Sequence, residues 1–339
     1  MRAGAVLAAA LLALTACSVG PGPRPAGPTP TPDLTPVAVR VGHVASTEWA
    51  PLYVALDRGY FSDLNVKVEL VAIRLGQRAV DLVERDQVDA VVTDFGADVF
   101  NELARGQRFR IVGSMPTFPA TGAPFVLEVA KPLLDSGKVR TIADLKGRNI
   151  AIDGGTGSGS GYLVDLALQR GGVRLKDLSP TIDLAAGSMG IGIATGGVNT
   201  ALMPQPYAAS AEQAGLAAPI GTPPPGATWA GLLLNAKLSG WAAQRFVDAL
   251  ARAARDLDGP DGTSDATLAI LARYTGLSLD VLRTLPPYTW DRALRPDAAA
   301  LAGLQATYRS LGLLQYSIDL APSRISDGSY ARQAAAAVR

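Results

Sequence analysis

From Val37 onward the chain switches repeatedly between a strand period and a helix period, and that alternation limits the fold more than any other feature. "VAVRVGHV" reads as a strand, "APLYVALDRGYF" as a helix ending near Gly59, and "VKVELVAI" as a second strand with period-two character. "GQRAVDLVERDQ" and "GADVFNELARGQ" continue as helices, with the short buried strand "VDAVVTD" between them and the strand "FRIVGSM" after them. Helices between strands at this spacing imply parallel pairing through right-handed crossovers. After the strand "PFVLEVA" the pattern restarts with "IADLKG", "NIAID", a glycine-rich turn, a helix over 161–170 and the strand "SPTIDL". A helix over roughly 188–195 then leads into the strand "NTALM".

The two runs echo each other. "LVERDQVDAVVTD" and "IATGGVNTALMPQ" share a helix end, a turn and a short apolar strand that stops at polar residues. The expected architecture is therefore α/β with two similar lobes and a cleft between them, each lobe a mostly parallel sheet flanked by helices. The remainder is helical by period, with Ser239, Ser264 and Ser278 as caps, and forms a C-terminal helical portion packed on one lobe.

The restart contains "AIDGGTGSGSGYLVDLALQR", a place where a phosphate loop would sit. It fails the tests for one. Gly154 and Gly159 have the Walker separation, but Ser160 and Gly161 follow in place of Lys and Ser or Thr, so nothing neutralises a terminal phosphate or holds a metal. A dinucleotide fingerprint would need glycine at Ser160 or at Tyr162. No nucleophile elbow is present either. What remains is a flexible turn into a helix N-terminus, whose free N–H groups favour an acceptor or an anion. A tight strand-to-helix turn with no ligand reads equally well from this stretch alone.

Composition excludes several classes. Lys and Arg number 31 against 30 Asp and Glu, and no basic block or aromatic-basic interleaving suggests nucleic acid. His43 is the single histidine and Cys17 the single cysteine, so neither a multi-histidine metal site nor a disulfide is expected. A Ser-His-Asp arrangement would have to use His43, and nothing marks a serine as its partner. No metal, cofactor or catalytic residue is assigned.

The N-terminus speaks to location. Arg2 is the one charge before an apolar stretch, Ala3 to Leu14, which is too short to span a bilayer and suits a secretory signal. The ending Leu14-Thr15-Ala16-Cys17 resembles the lipobox of bacterial lipoproteins. That resemblance implies cleavage after residue 16, lipid on Cys17, and a protein lipid-anchored at the outer face of the cytoplasmic membrane. The proline-rich stretch from Ser18 to Pro36 cannot bury apolar surface and reads as an extended tether.

Four further stretches, in order, resemble one family. They are "APLYVALDRGYFSDLNVKVELV", "TIADLKGRNIAI", "LALQRGGVRLKDL" and "LAGLQATYRSLGLLQ". The chain is similar to the solute-binding proteins of ABC importers, in the branch of aliphatic sulfonate, nitrate and thiamin-precursor pyrimidine binders. Where that family usually has a glycine after the first helix, this chain has Asn65, which also tolerates left-handed geometry. The resemblance implies a type II periplasmic-binding fold with lobe I over 37–121, lobe II over 122–226, and a return to lobe I with the C-terminal helices over 227–339. It implies a non-enzymatic monomer, touching the membrane only through its anchor, with a permease and its ATPase as partners. Two alternatives stay open, namely a pyrimidine-synthase-like enzyme on the same fold and a sensor or adhesion lipoprotein that has lost transport.

In proteins of this kind the ligand lies between the lobes, against strand C-termini and helix N-termini, as in open α/β sheets generally. By position the walls are Thr47, Glu48 and Trp49, then Gln77, then Thr93, Asp94 and Phe95. In the second lobe they are Gly157, Ser158, Gly159 and Ser160, then Ser188 and Met189, then Gln205 and Tyr207. Trp49 equally suits a core, Asp94 a helix cap and Tyr207 a lobe surface. These walls hold no Lys or Arg but do hold Glu48 and Asp94. A neutral or cationic solute, heteroaromatic or amine-bearing, is expected over an organic anion, with Trp49, Phe95 or Tyr207 stacking on it. Arg74 and Arg78 flank one wall and keep a sulfonate or nitrate open.

Overall fold

The strands begin where the alternation does. The structure, a computed structural model, describes residues 35–74, 77–106 and 108–336. The signal segment, Cys17 and nearly all of the tether lie outside the described residues. Ten strands form: β1 (Val37–His43), β2 (Val66–Ala72), β3 (Ala90–Asp94), β4 (Phe109–Ser114), β5 (Phe125–Ala130), β6 (Ile150–Ile152), β7 (Thr181–Asp183), β8 (Thr200–Pro204), β9 (Ala217–Gly221) and β10 (Ala230–Asn235). They make two five-stranded sheets, ordered β2-β1-β3-β10-β4 and β7-β6-β8-β5-β9. The echo in the sequence is thus an echo in topology, since β3 and β8 take the same central place in the two sheets.

Both sheets are mixed. β1 pairs parallel with β2 and β3, and β6 with β7 and β8, as helical crossovers require. β10 runs antiparallel to both of its neighbours, and so does β5. The physical reason lies in how the chain changes lobe. β4 and β9 end at the cleft, and the chain crosses there, so the next strand starts at the cleft and runs away from it. One reversed strand per sheet follows. The crossings, 115–124 and 222–229, lie side by side: Phe118 N–H donates to Ala227 O at 2.8 Å, and Gly226 N–H to Phe118 O at 2.9 Å.

Local expectations hold in detail. The first helix spans Ala50–Asp57 and is followed by Gly59 at φ 75°. Asn65 has φ 53°, the left-handed geometry the motif demands. Ser264 and Ser278 accept from the N–H groups of Thr267 and Val281 as helix caps, whereas the Ser239 side chain makes no such bond. β9 and β10 are strands that periodicity did not mark. Every residue of β10 is buried, so its "AGLLLN" shows no alternation to read.

The C-terminal helices do not all stay on lobe I. The helix Gly240–Leu257 packs on the first helix, but the helix Ala298–Ser310 contacts both Ala97–Ala104 of lobe I and Gly159–Gln169 of lobe II. Its Thr307 hydroxyl donates to Asp165 Oδ2 at 3.2 Å within lobe II. One large apolar core runs through both lobes, and a smaller one, with Met189, Ile193 and Met203, lies in lobe II. Among the described residues no helix is long and apolar enough to cross a membrane.

Candidate functional site

The glycine turn earns its glycines from backbone geometry and close packing. Gly154 and Gly155 have φ 77° and 72°, a left-handed pair that side chains rarely adopt. Beyond them the helix Gly159–Gln169 begins, capped by Ser158, whose hydroxyl accepts from Gly161 N–H at 3.1 Å and lies 2.8 Å from Gly155 O. That hydroxyl is spent on its own helix. The helix N-terminus points straight at lobe I. A Cβ at Gly159 would fall 2.8 Å from Trp229 Cδ1 and 3.0 Å from Asp94 Oδ2.

Asp94, at the C-terminus of β3, takes the Gly159 N–H on its carboxylate. Glu48 lies in the single turn Thr47–Trp49 after β1 and accepts from the indole of Trp229. Both residues are half-buried. Burial nonetheless dominates each: it raises Asp94 to about 7, with Asp153 adding to the effect, and it pushes Glu48 well above the usual carboxylate range, with Asp94 and Asp153 adding. Among the described residues neither forms an ion pair with a Lys or Arg.

Aromatic rings close the space around this pair. Trp229, at 1 % exposure, meets Phe125 edge-on at 5.5 Å and Tyr288 at 5.9 Å. Phe125 and Trp229 stand beside the starts of the reversed strands, so the contact marks where the chain crosses twice. Burial, with Glu48 and Asp94 adding, pushes the Tyr288 hydroxyl well above its ordinary range. His43 is engaged nearby, with Nδ1 3.0 Å from the Tyr53 hydroxyl, and burial lowers its basicity.

The structure brings together Thr47, Glu48, Thr93, Asp94, Gly157, Ser158 and Gly159, with Ser160 on the same helix end. Thr93, Asp94, Gly157 and Ser158 line one small cavity between the lobes together with Asp98 and Gly154. Other candidates are placed elsewhere. Trp49 and Phe95 are 3 % and 0 % exposed within the core, so neither offers a face to a ligand. Met189 is fully buried in the smaller core of lobe II. Gln77 accepts from Arg74 N–H and Gln205 from Ala209 N–H, so both amides close local turns. Ser188 is exposed, and Tyr207 lies on the lobe II surface in a shallow groove with Gly187 and Ile191. Arg78 is drawn to Asp81, Asp98 and Glu102.

Trp229, Tyr288 and Asp153 stand beside the candidate pair, and position reasoning did not name them. Asp153 directly follows β6 and holds the Ala186 N–H at 3.2 Å. A rule of "polar residue after a strand" reaches it. Trp229 and Tyr288 precede or lie between elements, and only the folded chain brings them in. Among the described residues no group of three or more His, Cys, Asp or Glu is arranged to hold a metal ion.

Residues 46–203 match the NMT1/THI5-like family model. No curated sequence matches the chain. The periplasmic aliphatic sulphonate binding protein SsuA from Escherichia coli is 21 % identical, with a TM-score of 0.65 over 86 % of this chain and 93 % of that one. The periplasmic nitrate-binding protein NrtA from Synechocystis PCC 6803 is 15 % identical, with a TM-score of 0.69 over 91 % and 90 %. The desulfurization enzyme DSZB is 15 % identical, with a TM-score of 0.59 over 89 % and 100 %. This chain therefore has the two-lobed periplasmic-binding-protein fold, and the resemblance read from its sequence holds.

Proposed function

We propose that this chain is an extracytoplasmic solute-binding protein, anchored by lipid on Cys17, that captures a neutral or cationic solute between its lobes. The solute is heteroaromatic or amine-bearing, and the partners are the permease and ATPase of an ABC importer. The family match and the fold shared with SsuA and NrtA support a binding role. DSZB shows that the fold also carries chemistry. Against an enzyme here stand the Tyr53 contact at His43 and the lack of any cysteine but Cys17.

The ligand class rests on one observation. A helix N-terminus attracts an anion, and in this chain a protein carboxylate, Asp94, already occupies the N-terminus that faces the cleft. A sulfonate or nitrate entering there would meet Asp94 and Glu48 with no Lys or Arg to offset them. An amine or a protonated heterocycle would instead draw both carboxyls into their ionised form, gaining two charge-assisted acceptors, with the half-buried ring of Tyr288 beside them.

The test is a thermal-shift and calorimetry screen of the purified protein against amines, aminopyrimidines, flavins, taurine, alkanesulfonates and nitrate. A ligand at 100 times its Kd stabilises the folded state by about 2.7 kcal/mol. Amines or aminopyrimidines are expected to do so. Tight binding of taurine or nitrate, with none of an amine or pyrimidine, would overturn the assignment of ligand class.

A further inference from the structure

A second cavity lies beside the acidic pair, in lobe I. It has a volume of about 430 Å³ and is walled by the C-terminal helices, with Leu268, Leu271, Leu282 and Trp290 in its lining. That size falls in the range of small-molecule sites, about 300–1,000 Å³. Two lining residues belong to the site above. Thr47 begins the turn that carries Glu48, and Tyr288 is close enough to Glu48 and Asp94 for their charge to act on its hydroxyl. The cavity and the carboxylates thus share a wall.

Arg283 also lines the cavity, but its guanidinium is turned to Asp265 and Asp280, in bonds of 3.0 to 3.1 Å. The charge it presents to the cavity is offset at the surface. What the cavity offers is apolar area next to two acceptors, and the occupant matching both is a cation carrying an apolar arm.

We infer that the solute is amphipathic, its cationic or heteroaromatic head against Glu48 and Asp94 and its apolar arm passing Tyr288 into the Leu271–Leu282 cavity. This rests on the reading of the cleft as a site for cations. Thr47 and Tyr288 then act as the gate between head and arm, and the cavity sets how long an arm is accepted.

Calorimetry on the full chain with two probes, benzylamine and 4-butylbenzylamine, tests it. Burial of each added methylene is worth about 0.8 kcal/mol, close to fourfold in affinity. The butyl probe should bind at least tenfold more tightly in the wild type. Leu271→Trp and Leu282→Trp, each filling the cavity from a different helix, should abolish that gain and leave benzylamine binding unchanged. Circular dichroism identifies any variant that fails to fold, and the wild-type comparison stands without the variants. Equal affinity for the two probes in the wild type, with both binding, overturns the cavity assignment alone. Absence of binding by both probes and by every amine in the screen overturns the cationic reading and this inference with it.

Discussion

Asp94, the last residue of β3, accepts the backbone N–H of Gly159, the first residue of a helix on the opposite lobe. The bond places a carboxylate of one lobe on the positive end of a helix of the other. It draws the lobes together and gives the cleft its acidic floor in one contact.

Asp94→Asn and Glu48→Gln should each weaken binding of an amine or aminopyrimidine at least tenfold. Truncating one partner of a buried charge pair typically costs on the order of 2 to 5 kcal/mol. Asparagine keeps an acceptor for Gly159, so the lobes should still close. Calorimetry at pH 8 checks this, and binding that survives or improves in both variants would sink the cation assignment.

The raised pKa of Asp94 has a sign. Its ordinary value is 3.8 and its folded value about 7, so between these the folded state holds a proton that the unfolded chain has released. Stability from this group is therefore greatest at low pH and falls as pH rises from about 4 to about 7, by on the order of a few kcal/mol. Glu128, pushed up to about 8 by burial beside Glu212, adds a decline of the same sign. Denaturant titration from pH 4 to 9 should show the Asp94 share removed in Asp94→Asn and the rest retained. An identical profile in the variant refutes the assignment.

Gly159→Ala should hold the lobes apart. Its Cβ would meet Trp229 O at 2.9 Å and the Trp229 ring at 2.8 Å, and both belong to a buried, packed residue. Small-angle scattering should give a larger radius of gyration than for the wild type, with cation affinity reduced. A scattering curve identical to the wild type would count against a closed arrangement built on this contact.

Tyr308 ties the lobes from the C-terminal helix. Its buried hydroxyl lies 2.8 Å from Phe95 O in lobe I and 3.0 Å from Ser158 O in lobe II. Tyr308→Phe removes the donor while keeping the ring, and should cost about 1–3 kcal/mol because the buried Phe95 carbonyl loses its partner, while Ser158 O keeps the Tyr162 N–H. Urea denaturation measures it, and a loss below 0.5 kcal/mol would mean the link carries little.

Cys17→Ala should abolish lipidation. Globomycin-sensitive processing and partitioning into the detergent phase are expected of the wild type and not of the variant. A wild-type protein recovered unlipidated contradicts the anchor.

What the sequence determined by itself is local. The switch between periods placed eight of the strands and most of the helices between them, though not the short helix Lys131–Asp135, because a period is a property of a dozen neighbouring residues. Asn65, Ser264 and Ser278 were legible because caps and left-handed turns are solved within a few residues. Glu48 and Asp94 were legible because α/β strands deliver their C-terminal residues to the cleft. The tertiary structure decided the rest. Which face of an element turns inward depends on what packs against it, and this put Phe95 and Met189 in cores and Tyr207 on the surface. The reversal of β5 and β10 follows from where the chain crosses between lobes, and β10, buried on both faces, carries no period to announce it. Trp229, at the end of a crossing, and Tyr288, between two C-terminal helices, reach Glu48 only in the folded chain, since burial and electrostatics join residues by distance in space and a sequence pattern orders them along the chain.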